Sequence, residues 1–243
     1  MPAPRPCPVP EASQKWLENA FSLLIDLFGE DPIRSRKILV PHHTDFPIRY
    51  NGDISTAADT LQIVAHQMEV DPNDILLDFY EDSKSVSTGS LFGGEIHLNN
   101  YKNISASSGL YWGRHEDGKY HIWLEKKNLT DPEGLVATLA HEIAHIKLLG
   151  EGRIEKNDEP LTDLTVMVFG LGIFTANVAF RHYSTFRGWG YSSKGYVKQR
   201  EWGFGLALFA RLRGEKDPAW TKHLTKNIRS DFAKSQAYLE DQG

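Results

Sequence analysis

The sequence predicts an α+β fold: a small, twisted, mostly antiparallel sheet packed on one long helix, with a helical C-terminal lobe. Three observations predict this class. Apolar residues recur three and four apart in Glu11–Phe28, as on one face of an amphipathic helix. Short segments rich in β-branched and aromatic residues follow one another between residues 75 and 124. After Thr130 the helical period dominates, so we expect the strands to precede most of the helices.

The same patterns predict the individual elements. Helices are predicted at residues 11–28, 53–70, 130–150, 159–179, 199–213 and from 218 or 221 to 239, and strands at 75–80, 95–98, 109–112 and 120–124. Asp117-Gly118, between the last two strands, is a strong signal for a β-hairpin. Residues 184–198 are rich in Gly, Ser and Tyr and are predicted to form a loop. We therefore divide the chain into a flexible arm at 1–10, an N-terminal α+β lobe at 11–150 and a helical C-terminal lobe at 151–243.

Composition and charge exclude several classes of protein. The 243 residues are 40% hydrophobic and 24% charged, which provides enough apolar material for a sizeable core. A net charge of −5 without a run of Lys or Arg is atypical of nucleic-acid binding. The single cysteine, Cys7, excludes an internal disulfide and a multi-cysteine zinc site. We expect a cytoplasmic protein without nucleic-acid or membrane partners, because no apolar secretory segment begins the chain and the apolar run 166–180 is too short to span a bilayer.

The helix predicted at residues 130–150 carries His141-Glu142-Ile143-Ala144-His145, the HExxH pattern. Residues four apart lie on one helical face, so both imidazoles can reach one metal ion, while Glu142 stands beside them to take a proton from water. The rest of this helix is apolar, where two bare histidines would be costly without a partner. The pattern therefore predicts one bound Zn²⁺.

A catalytic zinc ion usually takes three protein ligands and one water, so a third ligand must come from elsewhere in the chain. The next predicted helix begins with Asp-Glu-Pro-Leu-Thr-Asp at residues 158–163. A carboxylate entering at this helix start can face the same ion, which makes Glu159 the candidate ligand. Asp163, one turn later, could accept the other ring N–H of His141 or His145. The reverse assignment, with Asp163 as the ligand, stays open.

Together the two helices resemble those of the zincin metallopeptidases, and among them the gluzincin type, whose second motif is Asn-Glu-x-x-Ser-Asp. Here that motif reads Asp-Glu-x-x-Thr-Asp, and the resemblance covers about residues 109–179. It implies a zincin-like fold, with Asp163 as the acid that orients a ligand histidine. It also implies a zinc ion with three ligands, His141, His145 and Glu159.

This chain departs from the gluzincin pattern in two ways. Asp158 replaces Asn, and Glu159 follows His145 by only 14 positions, a shorter spacing than in thermolysin-like enzymes. A short chain with HExxH also resembles the cytosolic repressor-cleaving peptidases of the ImmA/IrrE type. The subfamily therefore stays open.

Several further residues are candidates for a role in the site. Peptidases of this type donate a hydrogen bond to the developing oxyanion from a residue that follows the metal helices, and the best candidates here are Tyr196 and His182. Three histidines of the strand region fit no ligand spacing and are predicted to be structural: His97, His115 and His121.

By the same resemblance, the first strand of the hairpin lies at the sheet edge above the metal, where an extended peptide can add as one more strand. Its residues are Gly109, Leu110, Tyr111 and Trp112. The implied function is hydrolysis of peptide bonds in an intracellular protein or peptide, with Glu142 as the general base. Two alternatives stay open: a zincin scaffold that binds a partner or senses a signal without cleaving it, and a zinc hydrolase of a small molecule. Retention of Glu142 argues against the scaffold, because a structural zinc site needs no general base.

Overall fold

A computed structural model of the chain describes residues 5–80, 109–185, 188–193 and 197–242, with side chains throughout except at 109–113 and 180–193. The α-helices of the described residues are α1 (Glu11–Phe28), α2 (Glu30–Ser35), α3 (Ile54–Gln67), α4 (Pro132–His145), α5 (Glu159–Val166), α6 (Gly172–Ala179), α7 (Gln199–Leu212) and α8 (Lys226–Asp241). The described strands are β1 (Ile75–Tyr80), β2 (Gly109–Arg114), β3 (Tyr120–Glu125), β4 (Phe180–Thr185) and β5 (Gly188–Ser193). The predicted α+β class is confirmed, whereas the strand predicted at 95–98 lies outside the described residues.

The chain divides into two compact units. One comprises Phe46–Asn157, and the other comprises Met1–Asp45 together with Asp158–Gly243. This division differs from the predicted boundary at residues 150 and 151, because α1 packs with helices of the C-terminal part. Ser13 on α1 donates a hydrogen bond to Glu201 on α7 at 2.7 Å, and α1 also contacts α5.

The sheet of the Phe46–Asn157 unit is mixed. Its described strands have the order β1-β3-β2. Strand β1 pairs with β3 in parallel, from Ile75 opposite Tyr120 onward, whereas β2 and β3 form the expected antiparallel hairpin. The prediction of a mostly antiparallel sheet is therefore only partly right. The hairpin places β3 rather than β2 beside β1, so the two paired strands run in the same direction.

Helix α4 lies in this unit against α3 and β2. Asp131 caps its first turn by accepting a hydrogen bond from the backbone N–H of Gly134 at 3.0 Å, and Pro132 occupies the first turn, where no intrahelical donor is lost. Most of the helix is apolar and buried, with Leu135, Leu139 and Ile143 fully so. Apolar burial and the cap together fix α4 at the position where the sequence predicts it.

Helix α3, like α4, begins with an aspartate that caps its first turn. Its cap is Asp53, whose carboxylate accepts hydrogen bonds from the backbone N–H of Thr56 at 2.8 Å and from the Thr56 hydroxyl at 2.6 Å. Val64 and Met68 are fully buried on its inner face. Helix α3 thus supplies a second apolar face for the core beneath α4.

In the other unit, the helical run that starts at α5 is broken. Gly170 has φ +81°, a left-handed conformation that interrupts the helix between α5 and α6. The break frees carbonyl groups, and two of them accept hydrogen bonds: Gly170 from the backbone N–H of Leu39 at 3.0 Å, and Val168 from the Arg36 guanidinium at 3.2 Å. The Arg36 guanidinium also stacks over the Phe169 ring at 4.0 Å.

The run Glu159–Ala179 is long and apolar enough to cross a membrane by length and composition alone. It is the one such segment among the residues that the structure describes, and its apolar window is entirely buried in the protein. A core helix of a globular protein meets the same criterion.

Helices α7 and α8 pack very closely. A Cβ at Gly203 on α7 would lie 2.6 Å from Cβ of Asp231 and 2.9 Å from the backbone nitrogen of Phe232, both on α8. Such distances are below van der Waals contact, so only glycine allows this approach. Trp202, Phe204 and Phe209 on α7 are nearly or fully buried around it.

Residues 5–10 of the predicted N-terminal arm contact the rest of this unit, since Arg5 donates a hydrogen bond to the carbonyl of Ala237 at 2.8 Å and Val9 is buried. One prediction for this unit needs correction. The loop predicted at 184–198 contains strand β5, which pairs antiparallel with β4. Gly and Ser weaken the local signal for a strand, but pairing with a neighbouring strand satisfies the backbone groups of this segment.

Candidate metal centre

The two histidines of the HExxH pattern lie on one face of α4. The ring centroids of His141 and His145 are 4.9 Å apart, with the ring planes at 88°. His141 is half-buried and His145 is 6% exposed. Glu142, the next residue along the helix, is 4% exposed, so its carboxylate is held away from bulk water.

The end of α4 that carries His145 is fixed by several contacts. The helix continues into a wider π turn, Ile146–Gly150, and such turns frequently accompany functional sites. The hydroxyl of Tyr120 donates to the carbonyl of Gly150 at 3.3 Å. Lys147 is 4% exposed, and its ammonium donates to the carboxylate of Glu151 at 2.6 Å. These contacts hold the backbone just beyond the second histidine.

Glu159 is the first residue of α5. Asp158 caps this helix by accepting a hydrogen bond from the backbone N–H of Leu161 at 3.0 Å, and its carbonyl accepts one from the Thr162 hydroxyl at 2.9 Å. Pro160 favours this start, because its fixed φ suits the first helical turn. The sequence DEPLTD thus defines the helix start that sets the position of the Glu159 side chain.

His141, His145 and Glu159 form a group that could hold a metal ion. Each offers one ligand atom, and these atoms all lie within 4.8 Å of one another. Two imidazole nitrogens and one carboxylate oxygen are the donors of many catalytic zinc sites, in which three protein ligands leave the fourth position to water or substrate. The donor set therefore fits zinc.

Asp163 does not belong to this group of three. It is 1% exposed and lies on α5 one turn after Glu159. Of the two candidate carboxylates, the geometry therefore favours Glu159 as the third ligand. The predicted role of Asp163, accepting an N–H from a ligand histidine, stays a prediction.

Tyr80, at the end of β1, is a neighbour of the site that the sequence analysis did not single out. Burial, and then the negative charges of Glu125 and Glu142, raise the pKa of Tyr80 to about 12. Its phenol is therefore a neutral hydrogen-bond donor at any physiological pH. The only signal in the sequence was its position at the end of a predicted strand, which does not reveal proximity to α4.

The remaining predicted site residues are only partly described. Tyr196 and His97 lie outside the described residues, and His182 is placed on β4 by its backbone alone. Strand β2, which contains 109–112, is at one end of the order of described strands, and β3 is in its centre. The roles proposed for these residues stay predictions.

Comparison with protein-family models, curated proteins and solved structures finds no match to this chain.

Proposed function

We propose that the chain is a zinc-dependent peptidase of the zincin type that hydrolyses peptide bonds in a protein or peptide. The observation that carries the proposal is the cluster of His141, His145 and Glu159 with the buried carboxylate of Glu142 beside the first ligand. A purely structural zinc site needs ligands only. A buried glutamate adjacent to the ligands is what hydrolysis additionally requires.

A bound zinc ion would supply the electrophile, since it lowers the pKa of water to about 7 and polarises a carbonyl oxygen. Glu142 takes the proton from the attacking water and delivers it to the leaving amine. Its burial keeps this carboxylate away from competing solvent, and its place on α4 fixes it relative to both histidines. In this proposal, Asp163 orients one ligand histidine by accepting its second ring N–H.

The position of β2 supports a peptide as the substrate. An extended peptide can add to a free sheet edge through backbone hydrogen bonds, which requires little of its sequence. Strand β2 has one partner, β3, among the described strands. A peptide bound along β2 would lie beside α4, which β2 contacts.

A comparison of cleavage products tests the proposal. Cell lysate is incubated with zinc-loaded wild-type protein and, in parallel, with Glu142→Gln, and new protein N-termini are identified by mass spectrometry. We expect new termini with the wild type that are absent with Glu142→Gln, while that variant retains its zinc. Glu155→Gln, which makes the same chemical change at an exposed turn position, is the matched control and should cleave like the wild type.

Two results would contradict the proposal. If the zinc-loaded wild type produced no new termini, a small-molecule hydrolase or a binding scaffold would replace the peptidase. If Glu142→Gln cleaved as fast as the wild type, Glu142 would not be the base.

A further inference from the structure

Lys147 is a buried lysine that the proposed chemistry does not use. It lies two residues after His145, in the π turn Ile146–Gly150 that continues α4. Lysine is rarely buried, because taking an ammonium group out of water costs free energy that its partners must offset. The adjacent residues are apolar, with Ile146 and Leu148 buried on either side of it. A charged side chain at this position therefore needs a specific explanation.

The Lys147 ammonium connects the π turn to the end of α3. It donates to the carboxylate of Glu151 at 2.6 Å and to the carbonyl of Glu69, two residues after the end of α3, at 3.5 Å. A helix turns by about 100° per residue, so positions 145 and 147 lie about 200° apart around the axis and face different sides. Lys147 therefore acts on the backbone behind His145 and not on the metal site directly.

The carbonyl of Glu69 is an acceptor at a fixed position. Glu69 has φ +59° and is the one non-glycine residue with a left-handed φ among those that the structure describes. The next backbone N–H, that of Val70, donates to the carbonyl of Ala65 at 2.9 Å, which is the hydrogen bond of a Schellman cap. A left-handed conformation costs a non-glycine residue free energy and persists where the surrounding structure determines it. Glu69 is thus a rigid point to which Lys147 can attach the π turn.

Glu151 is fixed by contacts other than that with Lys147. Arg153 donates to its carboxylate through Nε at 3.0 Å and forms an ion pair with it at 2.9 Å. The backbone N–H of Glu151 donates to the carbonyl of Ile146 at 2.8 Å, the five-residue spacing of a π turn. Because Arg153 would remain beside Glu151 without the ammonium, neutralising this carboxylate does not explain a buried lysine.

Stability explains the lysine no better. Replacing a buried ion pair by apolar side chains of similar volume is often neutral or stabilising, because desolvation offsets the attraction. A functional site, by contrast, needs its groups held within about 0.5 Å of the productive geometry. We propose that Lys147 is a positioning residue of the metal centre: by attaching the π turn to Glu69, it sets the position of His145 relative to the other two ligands. This role rests on the proposed function, whose metal centre it serves.

Lys147→Met in the full chain tests this role, because methionine keeps an unbranched side chain but removes the ammonium. We expect the affinity for zinc, measured by competition with a chromophoric chelator, to fall roughly tenfold, as it does when residues that orient a ligand are changed. The visible absorption of bound Co²⁺, which depends on coordination geometry, should differ from that of the wild type. Denaturation of the metal-free protein should find the variant at least as stable as the wild type.

Two variants serve as controls. Lys119→Met makes the same chemical change at an exposed position of the β2–β3 turn and should alter neither the affinity for zinc nor the Co²⁺ spectrum. Lys147→Arg retains a cationic donor at the buried position, so it should bind zinc more tightly than Lys147→Met.

The proposal is overturned if Lys147→Met binds zinc as tightly as the wild type and gives the same Co²⁺ spectrum. It is equally overturned if circular dichroism shows that Lys147→Met does not fold, because the ammonium would then support the fold as a whole. A wild type that binds no zinc would overturn the metal centre, and with it both the proposed function and this role. A chain that binds zinc but cleaves no peptide would contradict the proposed function alone.

Discussion

The rings of His141 and His145 lie one helical turn apart with their planes almost perpendicular, at 88°. This arrangement follows from the spacing of four residues, which stacks the two side chains on one face of α4. One nitrogen of each ring lies within 4.8 Å of the other, close enough for both to bind one ion. Glu159 contributes the third ligand atom within 4.8 Å of the other two.

The first prediction concerns these two histidines. His141→Ala should reduce the zinc bound to the purified, zinc-loaded protein by one equivalent, because two protein ligands hold zinc far more weakly than three. Metal analysis after dialysis measures the loss. His66→Ala should retain the full amount, and equal zinc contents in His141→Ala and the wild type would show that His141 is not a ligand.

The second prediction separates the two carboxylates of α5. Glu159→Ala should lose most of the affinity for zinc, whereas Asp163→Asn should lose about 10–100-fold, the usual cost of changing a group that orients a ligand. Competition with a chromophoric chelator measures both dissociation constants. The opposite ranking would assign the ligand role to Asp163.

A third prediction concerns the path of the substrate along β2. Neighbouring residues of a strand direct their N–H groups to opposite sides, so one of Leu110 and Tyr111 directs its N–H away from β3. Proline at that position should leave the fold intact but raise KM for peptides, since a donor for an added strand is lost. Proline at the other position should break the pairing with β3 and lower stability. Unchanged KM in both variants would exclude this binding path.

The fourth prediction tests the close packing of α7 on α8. Gly203→Ala should lower the free energy of unfolding by about 1–3 kcal/mol, the usual cost of overpacking, because the new methyl group would meet the backbone of α8. Gly205→Ala is the matched control two residues away. There the nearest atom is the terminal methyl carbon of the unbranched Met167 side chain at 3.2 Å, and alanine favours a helix. Chemical denaturation should therefore find Gly205→Ala close to the wild type, and equal losses in both variants would contradict this packing.

The fifth prediction concerns the cap of α3 in acid. Hydrogen bonds from the side chain and then the backbone of Thr56 lower the pKa of Asp53. The unfolded chain therefore binds a proton to Asp53 more readily, so this group stabilises the fold above the ordinary aspartate pKa, near 4. The stabilisation is lost as the pH falls through the lowered pKa of the folded state.

Asn at position 53 still caps a helix but does not titrate. Asp53→Asn should therefore reduce the loss of stability between pH 4 and the acid limit, as followed by denaturation at a series of pH values. Asp59→Asn, at an exposed position of the same helix, should keep the pH dependence of the wild type. If Asp53→Asn and Asp59→Asn showed the same pH dependence of stability, protonation of the Asp53 cap would not contribute to the loss of stability in acid.

Local signals in the sequence were sufficient for most of the elements. The helix predicted at Glu11–Phe28 is observed with these bounds, and so is the strand predicted at Ile75–Tyr80. The turn at Asp117-Gly118 joins the predicted hairpin. These features depend on residues within one or two turns of one another, such as caps, apolar periodicity and turn glycines, and so they can be predicted from a short window.

By itself, the sequence determined the α+β class, the helix that carries the HExxH pattern and the common face of His141 and His145. Only the tertiary structure decided that β1 pairs in parallel with β3, that residues 188–193 form a strand and that α1 packs with the C-terminal helices. It also favoured Glu159 over Asp163 beside the two histidines and brought Tyr80 close to Glu142. The physical reason is that these relationships join residues far apart in the chain. Their free energies come from burial and pairing that no short segment contains.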